Sequence, residues 1–339
     1  MKKIFAILIV TVLILTAGCN ESPGKSDSSK PDHITIAIQN LANDELIAKS
    51  WYEEAFGTKV YILSYDSSLL INSAMATENI DIAMLGTVTA AMGISKDYPY
   101  EIFWIHNVED RNEALIAKNS SGIESIEDLK GKRIAVTFGA TTHYSLMKAL
   151  ELEKIDVEND VKIINMQPTE ILNAWNDDKI DATYIWNPTL KKLSSDGKIL
   201  ITGRQLSEKG IVTADVAVVN KDFAKKYPNI VKKYIELQTR ATALFINNTR
   251  AAGKIVANEL KISESDAIDS MEELIWIPLT DQISPRYMGT SDQKGHLVDT
   301  LKETADFLKD NGVLENVSDR EIYAEAVNPK FAEEVANNK

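Results

Sequence analysis

Two short segments of this chain carry the same pattern, and that echo constrains the fold more than any other feature. Asn79-Ile80-Asp81-Ile82-Ala83 follows an amphipathic helix with Leu70, Ile71, Ala74 and Met75 on its inner face. Lys179-Ile180-Asp181-Ala182-Thr183 follows another, built around Ile171, Ala174 and Trp175. Both run straight into polar or aromatic residues, Gly86-Thr87 in one case and Tyr184-Ile185-Trp186 in the other. Two similar α/β units predict two lobes facing each other. In open α/β sheets ligands bind beyond the carboxyl ends of strands, so two such ends opposed make a cleft.

Strand and helix alternate from Ile34 onward, the pattern of an α/β fold. Residues 34–38 and 59–63 are predicted strands, 43–56 and 67–77 helices, and 80–85 a third strand before Gly86-Thr87-Val88-Thr89 opens the next helix. Later, Arg133-Ile134-Ala135-Val136-Thr137-Phe138 reads as a buried strand and 143–153 as a helix with Leu146, Ala149 and Leu150 on one face. The small-residue turn between them ends in Thr141 and Thr142. Free N–H groups and the positive end of the helix dipole make such a turn a cradle for a small anion.

Glu113-Ala114-Leu115-Ile116-Ala117-Lys118 and Asp215-Val216-Ala217-Val218-Val219-Asn220 are apolar strands placed to leave and re-enter the first unit, as two hinge segments. The rest is mostly helical, over 228–247, 251–260, 264–275 and 293–311. The expected organisation is a first lobe of 33–114 plus 221–339 and a second of 115–220.

The 339 residues, 44% of them hydrophobic, suffice for two domains with large cores. A net charge of −13 argues against nucleic acid, which wants a basic stripe. The N-terminus reads as an export signal over 1–19. Lys2 and Lys3 precede an apolar run over 4–15 that is short for a membrane span, and Thr16-Ala17-Gly18-Cys19 follows. Small residues before a cysteine resemble the lipobox of bacterial lipoproteins, with Thr16 where leucine is usual. That resemblance implies lipidation of Cys19 and anchoring to the outer face of the cell membrane. Cys19 is the only cysteine, so the mature domain has no disulfide. Residues 20–32, rich in Ser, Lys and Asp, read as a flexible tether.

Gly131-Lys132-Arg133-Ile134-Ala135-Val136, Thr141-Thr142-His143-Tyr144-Ser145-Leu146, Gln167-Pro168, Ala174-Trp175, Ile180-Asp181 and Tyr184-Ile185-Trp186-Asn187-Pro188 form an ordered set. In that order they resemble taurine binders in the nitrate/sulfonate/taurine substrate-binding family of bacterial ABC importers. The resemblance runs from Ile34 to about Gly312, is strongest over 131–188, and thins in the C-terminal helices. It implies a two-lobed, type II periplasmic-binding-protein fold that closes on one small ligand. It also implies delivery to a permease driven by an ATPase on other chains. A monomer without cofactor is expected.

Taurine is a zwitterion, and its two ends need different partners. Sulfonate is diffuse and weakly basic, so several N–H and O–H donors suit it. Thr141, Thr142 and Tyr144 are the first candidates; Gly86 and Thr87 offer a second turn. Asp66-Ser67-Ser68 is a third, in which Ser67 resembles a family ligand-loop position. For Ser67, Ser68 and Thr87 plain N-capping competes with ligand binding. Glu113 and Asp215, at the starts of the hinge strands, are the ammonium candidates, and the resemblance implies Glu and Asp at these positions. Trp186 and Tyr184 end a strand at the cleft, where an indole face suits the ethyl linker and a cation; inter-lobe packing is the competing role. Gln39 is a possible amide donor. His143 is expected to orient its loop and take no part in catalysis, while Asp81, Asp181 and Trp175 are expected to be structural. The scattered histidines argue against a metal site.

The competing expectations are the same fold with another small sulfonate or amino-sulfonate, such as an alkanesulfonate, or an enzyme. Synthases of a thiamine pyrimidine share this scaffold but rely on a reactive lysine and a cysteine-rich segment. Here the lone cysteine lies in the export signal, and no Gly-x-Ser-x-Gly elbow appears. A signalling or adhesion receptor on the same scaffold is a third possibility.

Overall fold

The computed structural model describes residues 30–77 and 80–338. The export signal, Cys19 and most of the 20–32 tether lie outside the described residues. Among the described residues no helix is long and apolar enough to cross a membrane.

Among the described residues eleven strands follow in chain order: β1 (His33–Ile38), β2 (Lys59–Ser64), β3 (Ile82–Gly86), β4 (Tyr100–Glu109), β5 (Glu113–Lys118), β6 (Arg133–Val136), β7 (Lys162–Asn165), β8 (Ala182–Trp186), β9 (Gly197–Thr202), β10 (Ala214–Asn220) and β11 (Leu274–Trp276). They form two sheets, ordered β11-β4-β10-β3-β1-β2 and β7-β6-β8-β5-β9. In the first, β1 pairs parallel with β2 and β3, and β10 runs antiparallel between β3 and β4. In the second, β6 pairs parallel with β7 and β8, and β5 runs antiparallel between β8 and β9. The two sheets share one plan, in which each takes a reversed strand from a chain crossover.

Strands covered on both faces need near-continuous apolar sequence, and β5 shows why Ala114 to Ala117 has it. Leu115 and Ala117 enter a core with Ile134, Val136 and Leu146. Ala114 and Ile116 enter a different core with Ile171, Trp175 and Ile185, as the two-residue alternation of a strand requires. Trp175 is thus a core residue.

Asp81 and Asp181 are structural in an identical way. Asp81 Oδ2 accepts from the Thr35 amide at 2.8 Å, and Asp181 Oδ2 from the Arg133 amide at 2.8 Å. Their own amides bond back to the Thr35 and Arg133 carbonyls. Each carboxylate therefore staples the start of one parallel strand to the start of its neighbour.

Some expectations need correction. Residues 100–109 form β4, a long buried strand that sequence patterning left unassigned because its apolar run has no clean alternation. Leu70 is 41% exposed and does not face the core. The helix expected over 264–275 ends at Glu272, and Leu274–Trp276 instead pairs with β4. β10 belongs to the first sheet, whereas the expected 115–220 lobe would have placed it with the second. The chain passes between sheets over 110–112 and 203–213. These passages are tied together: Arg204 Nε and Nη2 donate to Asp110 at 2.6 and 2.5 Å, and its amide donates to the Asp110 carbonyl.

Candidate functional site

The two sheets end at one place in equivalent fashion. On β10, Asp215 stands opposite Gly86 at the carboxyl end of β3. On β5, Glu113 stands opposite Trp186 at the carboxyl end of β8. All four residues line one narrow cavity of about 10 Å³, room for about one water. Gln39, Leu41, Ser68 and Glu109 complete its wall from the first sheet's side. Asn112, Ala140 and Thr141 complete the other.

The walls are close. A Cβ placed on Gly86 would lie 2.8 Å from Thr141 Cγ2 and 3.9 Å from Asp215 Oδ1. Beside them Thr89 Oγ1 donates to the Gly139 carbonyl at 2.9 Å, with Ser68 Oγ 3.0 Å from the same hydroxyl. Three helices begin around this point, at Ser68, Thr87 and Thr141. The first N–H groups of each have no partner within the helix.

Three buried carboxyls face this space, and among the described residues no lysine or arginine lines it. Glu113 Oε1 accepts from Thr141 Oγ1 at 2.5 Å, while its Oε2 is buried without a partner among the described residues. Burial, offset in part by Thr141 and reinforced by Asp215, pushes the Glu113 carboxyl up to about 8. Burial likewise raises Asp215 to about 6, against the lowering pull of His106 and a hydrogen bond from Glu109. Glu109 is driven well above the ordinary carboxylate range by burial and by the charges of Asp215 and Glu113. Its oxygens accept from Asn107 Nδ2 at 3.3 Å and from Asn112 Nδ2. Asn107 Nδ2 also lies 3.5 Å from Asp215 Oδ2.

Behind the acid cluster lies a buried polar network. His106 Nδ1 is 2.7 Å from Asp44 Oδ1, whose other oxygen accepts from Trp104 Nε1 at 2.9 Å. Glu45 accepts from Tyr52 at 2.7 Å and from Tyr234. Burial alone would lower His106, but Asp44 and Glu45 outweigh it and hold its pKa above the usual value.

Of the residues nominated from sequence, Glu113, Asp215, Thr141, Trp186, Gly86 and Gln39 meet in the cavity. The others do not line it. Tyr144 points away: its ring packs edge-on to Phe307 at 5.0 Å and borders a separate groove with Lys148 and Glu303. Its ring is taken up by an apolar cluster with Val88, Met92 and Phe307. Tyr184 is fully buried in the core with Leu115 and Leu146. Thr87 Oγ1 accepts from the Ala214 amide at 3.3 Å and borders a different cavity. Thr142 and Ser67 are fully buried, each with a hydroxyl that lacks a partner among the described residues. Ser68 lines the cavity where Ser67 was expected. His143 stacks on Phe138 at 4.5 Å, and its Nδ1 faces the Gly139 amide at 3.4 Å. Burial lowers it to about 4, so it is neutral and holds the turn.

Sequence reasoning missed Glu109, Asn107 and Asn112, and it favoured Ser67 over Ser68 within one turn. One signal was available: Glu109-Asp110-Arg111-Asn112-Glu113 is a dense polar run between two apolar strands. Among the described residues no group of His, Cys, Asp or Glu is arranged to hold a metal ion.

Residues 47–252 match the family described as NMT1/THI5 like. The taurine-binding periplasmic protein of Escherichia coli (strain K12) is 32% identical to this chain, over 89% of it and 93% of its own length. The alkanesulfonate-binding protein SsuA from Xanthomonas axonopodis pv. citri, solved bound to MOPS, superposes with a TM-score of 0.72 at 18% identity. That match covers 88% of this chain and 98% of the other. A mutant of DSZB in complex with biphenyl-2-sulfinic acid superposes with a TM-score of 0.67 at 16% identity, over 91% of this chain and 99% of that one. The structural likenesses agree with the expected α/β periplasmic-binding-protein fold.

Proposed function

This chain belongs to the NMT1/THI5-like family and is akin to sulfonate- and taurine-binding proteins of ABC importers, and on that premise we propose that it captures taurine in the cleft between its sheets. The observation that carries this reading is the acid cluster itself. Glu113, Asp215 and Glu109 share a cavity that no cationic side chain lines. A buried carboxylate needs a partner charge. A ligand ammonium supplies one, whereas a plain sulfonate or nitrate would meet only repulsion at that end.

In this reading Glu113 and Asp215 bind the ammonium. Thr141 orients Glu113 through its hydroxyl and offers its amide to the sulfonate, beside those of Thr142, Thr87 and Ser68. The buried hydroxyls of Thr142 and Ser67 are further sulfonate donors. Trp186 covers the ethyl linker, where a cation–π contact contributes roughly 0.5–2 kcal/mol. Gln39 adds an amide at the rim. His143 holds the turn, while Tyr144 and Tyr184 pack behind it and do not touch the ligand. A cavity of about 10 Å³ is smaller than taurine, so entry requires the walls to part about the segments 110–112 and 203–213.

The relatives named above are binding proteins, apart from the distant DSZB, and we extend binding without catalysis to this chain. The chemistry that a thiol would supply has no source here, since the sole cysteine is Cys19. Export follows from the periplasmic relatives. Lipidation of Cys19, a monomeric state, and delivery to a permease and ATPase complete the proposal.

Thermal-shift measurements with taurine, ethanesulfonate, isethionate and nitrate test it. Taurine should stabilise the domain most. Equal stabilisation by ethanesulfonate would remove the ammonium role of Glu113 and Asp215 and favour an alkanesulfonate ligand.

A further inference from the structure

The acid cluster holds more carboxyls than one ammonium group needs. Glu109, Glu113 and Asp215 all line a cavity with room for about one water. Three carboxylates so confined cannot all stay ionised without a cation among them. The surrounding charges supply little of one, since His106 acts on Asp215 only from behind the cluster. Asp110, beside Glu109 in sequence, is committed to Arg204. His106, on the same strand as Glu109, is shared between Asp44 and Glu45 from the helix that begins at Asp44. Tyr184, on the strand paired with β5, is neutral. The neutral amides of Asn107 and Asn112 complete the surroundings of Glu109.

We infer that the cleft exchanges a proton for the ligand's ammonium group, and that Glu109 is a specificity-determining residue that sets how firmly the proton is held. This rests on the taurine reading above. Before capture, protons occupy the carboxyls that the absent cation leaves uncompensated. Asn107 joins Glu109 to Asp215, its Nδ2 3.3 Å from Glu109 Oε1 and 3.5 Å from Asp215 Oδ2, so the charge of one carboxyl is felt by the other. When an ammonium enters, an O–H bond of the cluster breaks, the proton passes to water, and the new carboxylate pairs with the ligand. No oxidant or further reactant is involved. A neutral-tailed sulfonate cannot drive this exchange, because nothing replaces the departing charge. Discrimination should therefore rise with pH across the interval from about 6 to about 8, where Asp215 and Glu113 titrate.

Titration calorimetry with taurine between pH 6 and pH 9, in buffers of different ionisation enthalpy, counts the protons directly. The expected result is release of about one proton per taurine near pH 7, with affinity rising about tenfold per pH unit there and levelling above the cluster's titration. Taurine binding with no proton release at any of these pH values overturns the inference and leaves the taurine reading standing. No taurine binding in any buffer overturns that reading, and the inference with it. Glu109→Gln removes one carboxyl and relaxes the others, so its proton release at pH 7 should fall below half the wild-type value. Its preference for taurine over ethanesulfonate should also shrink. Unchanged release and unchanged preference in that variant would reduce Glu109 to a structural anchor for Asn107 and Asn112.

Discussion

Thr141 donates its hydroxyl hydrogen to Glu113 at 2.5 Å. Residues expected at opposite ends of the ligand are thus bonded to each other. The bond fixes the carboxylate of β5 against the start of the helix Thr141–Leu152, so one side chain prepares both the acid and the anion cradle.

Removing either acid should weaken binding without unfolding the protein. Asp215→Asn and Glu113→Gln keep shape and most hydrogen bonds, so each should cost about 1.5–3 kcal/mol of taurine affinity, the range for a hydrogen bond to a charged group. Calorimetry on the two variants checks this. An unchanged affinity for either excludes that residue from the ammonium site.

Gly86→Ala should act through space alone. The backbone there is ordinary, with φ −69°. The added Cβ would press on Thr141 Cγ2 at 2.8 Å, across the cavity. Overpacking of this kind typically costs about 1–3 kcal/mol, and here it opposes closure. Taurine affinity should drop at least tenfold while ligand-free unfolding stays near wild type. A normal affinity would show that the walls need not meet at this point.

The ligand-free protein should lose stability as pH rises from about 6.5 to about 8. The pKa of Glu113 is raised in the fold, to about 8, so its contribution is complete below the unfolded carboxylate range and is lost as pH climbs through the folded value. Asp215 behaves likewise around 6. His143 has the opposite sign, because its folded pKa is lowered to about 4. Its contribution is present above the ordinary histidine value and is lost as pH falls from there toward 4. Denaturant unfolding at several pH values separates them: Glu113→Gln should flatten the fall above 6.5, and a slope unaltered by that change would contradict the assignment.

The tie between the two passages is a further test. Asp110 is buried and accepts both nitrogens of Arg204, itself half exposed. Asp110→Asn should cost about 1.5–3 kcal/mol of stability, reduced by solvent at the arginine end. Since the pair joins the segments about which the sheets move, taurine association kinetics should change as well. Stopped-flow rates identical to wild type would make the pair a matter of stability alone.

Much of this site was legible in the sequence. Gly86, Thr141, Glu113, Asp215 and Trp186 were found because each stands where a strand ends or begins, and strand ends are where an α/β sheet presents its ligands. Tyr144 was misread because it sits in the same turn as Thr141 and Thr142. Its ring packs on Phe307, from a helix far along the chain that the turn itself does not reveal. Glu109 was missed because it closes a strand with no alternating pattern to announce it.

The sequence by itself determined the repeated unit. Asp81 and Asp181 recur in the same pattern and perform the same staple, because each stands just before a strand that pairs parallel with an earlier strand of its own unit, whose first amides it can reach. Only the tertiary structure decided that β10 lies in the first sheet and β5 in the second. That exchange brings carboxyls from distant parts of the chain into one small cavity. Its charge balance depends on burial and distance in three dimensions, which no spacing along the chain encodes.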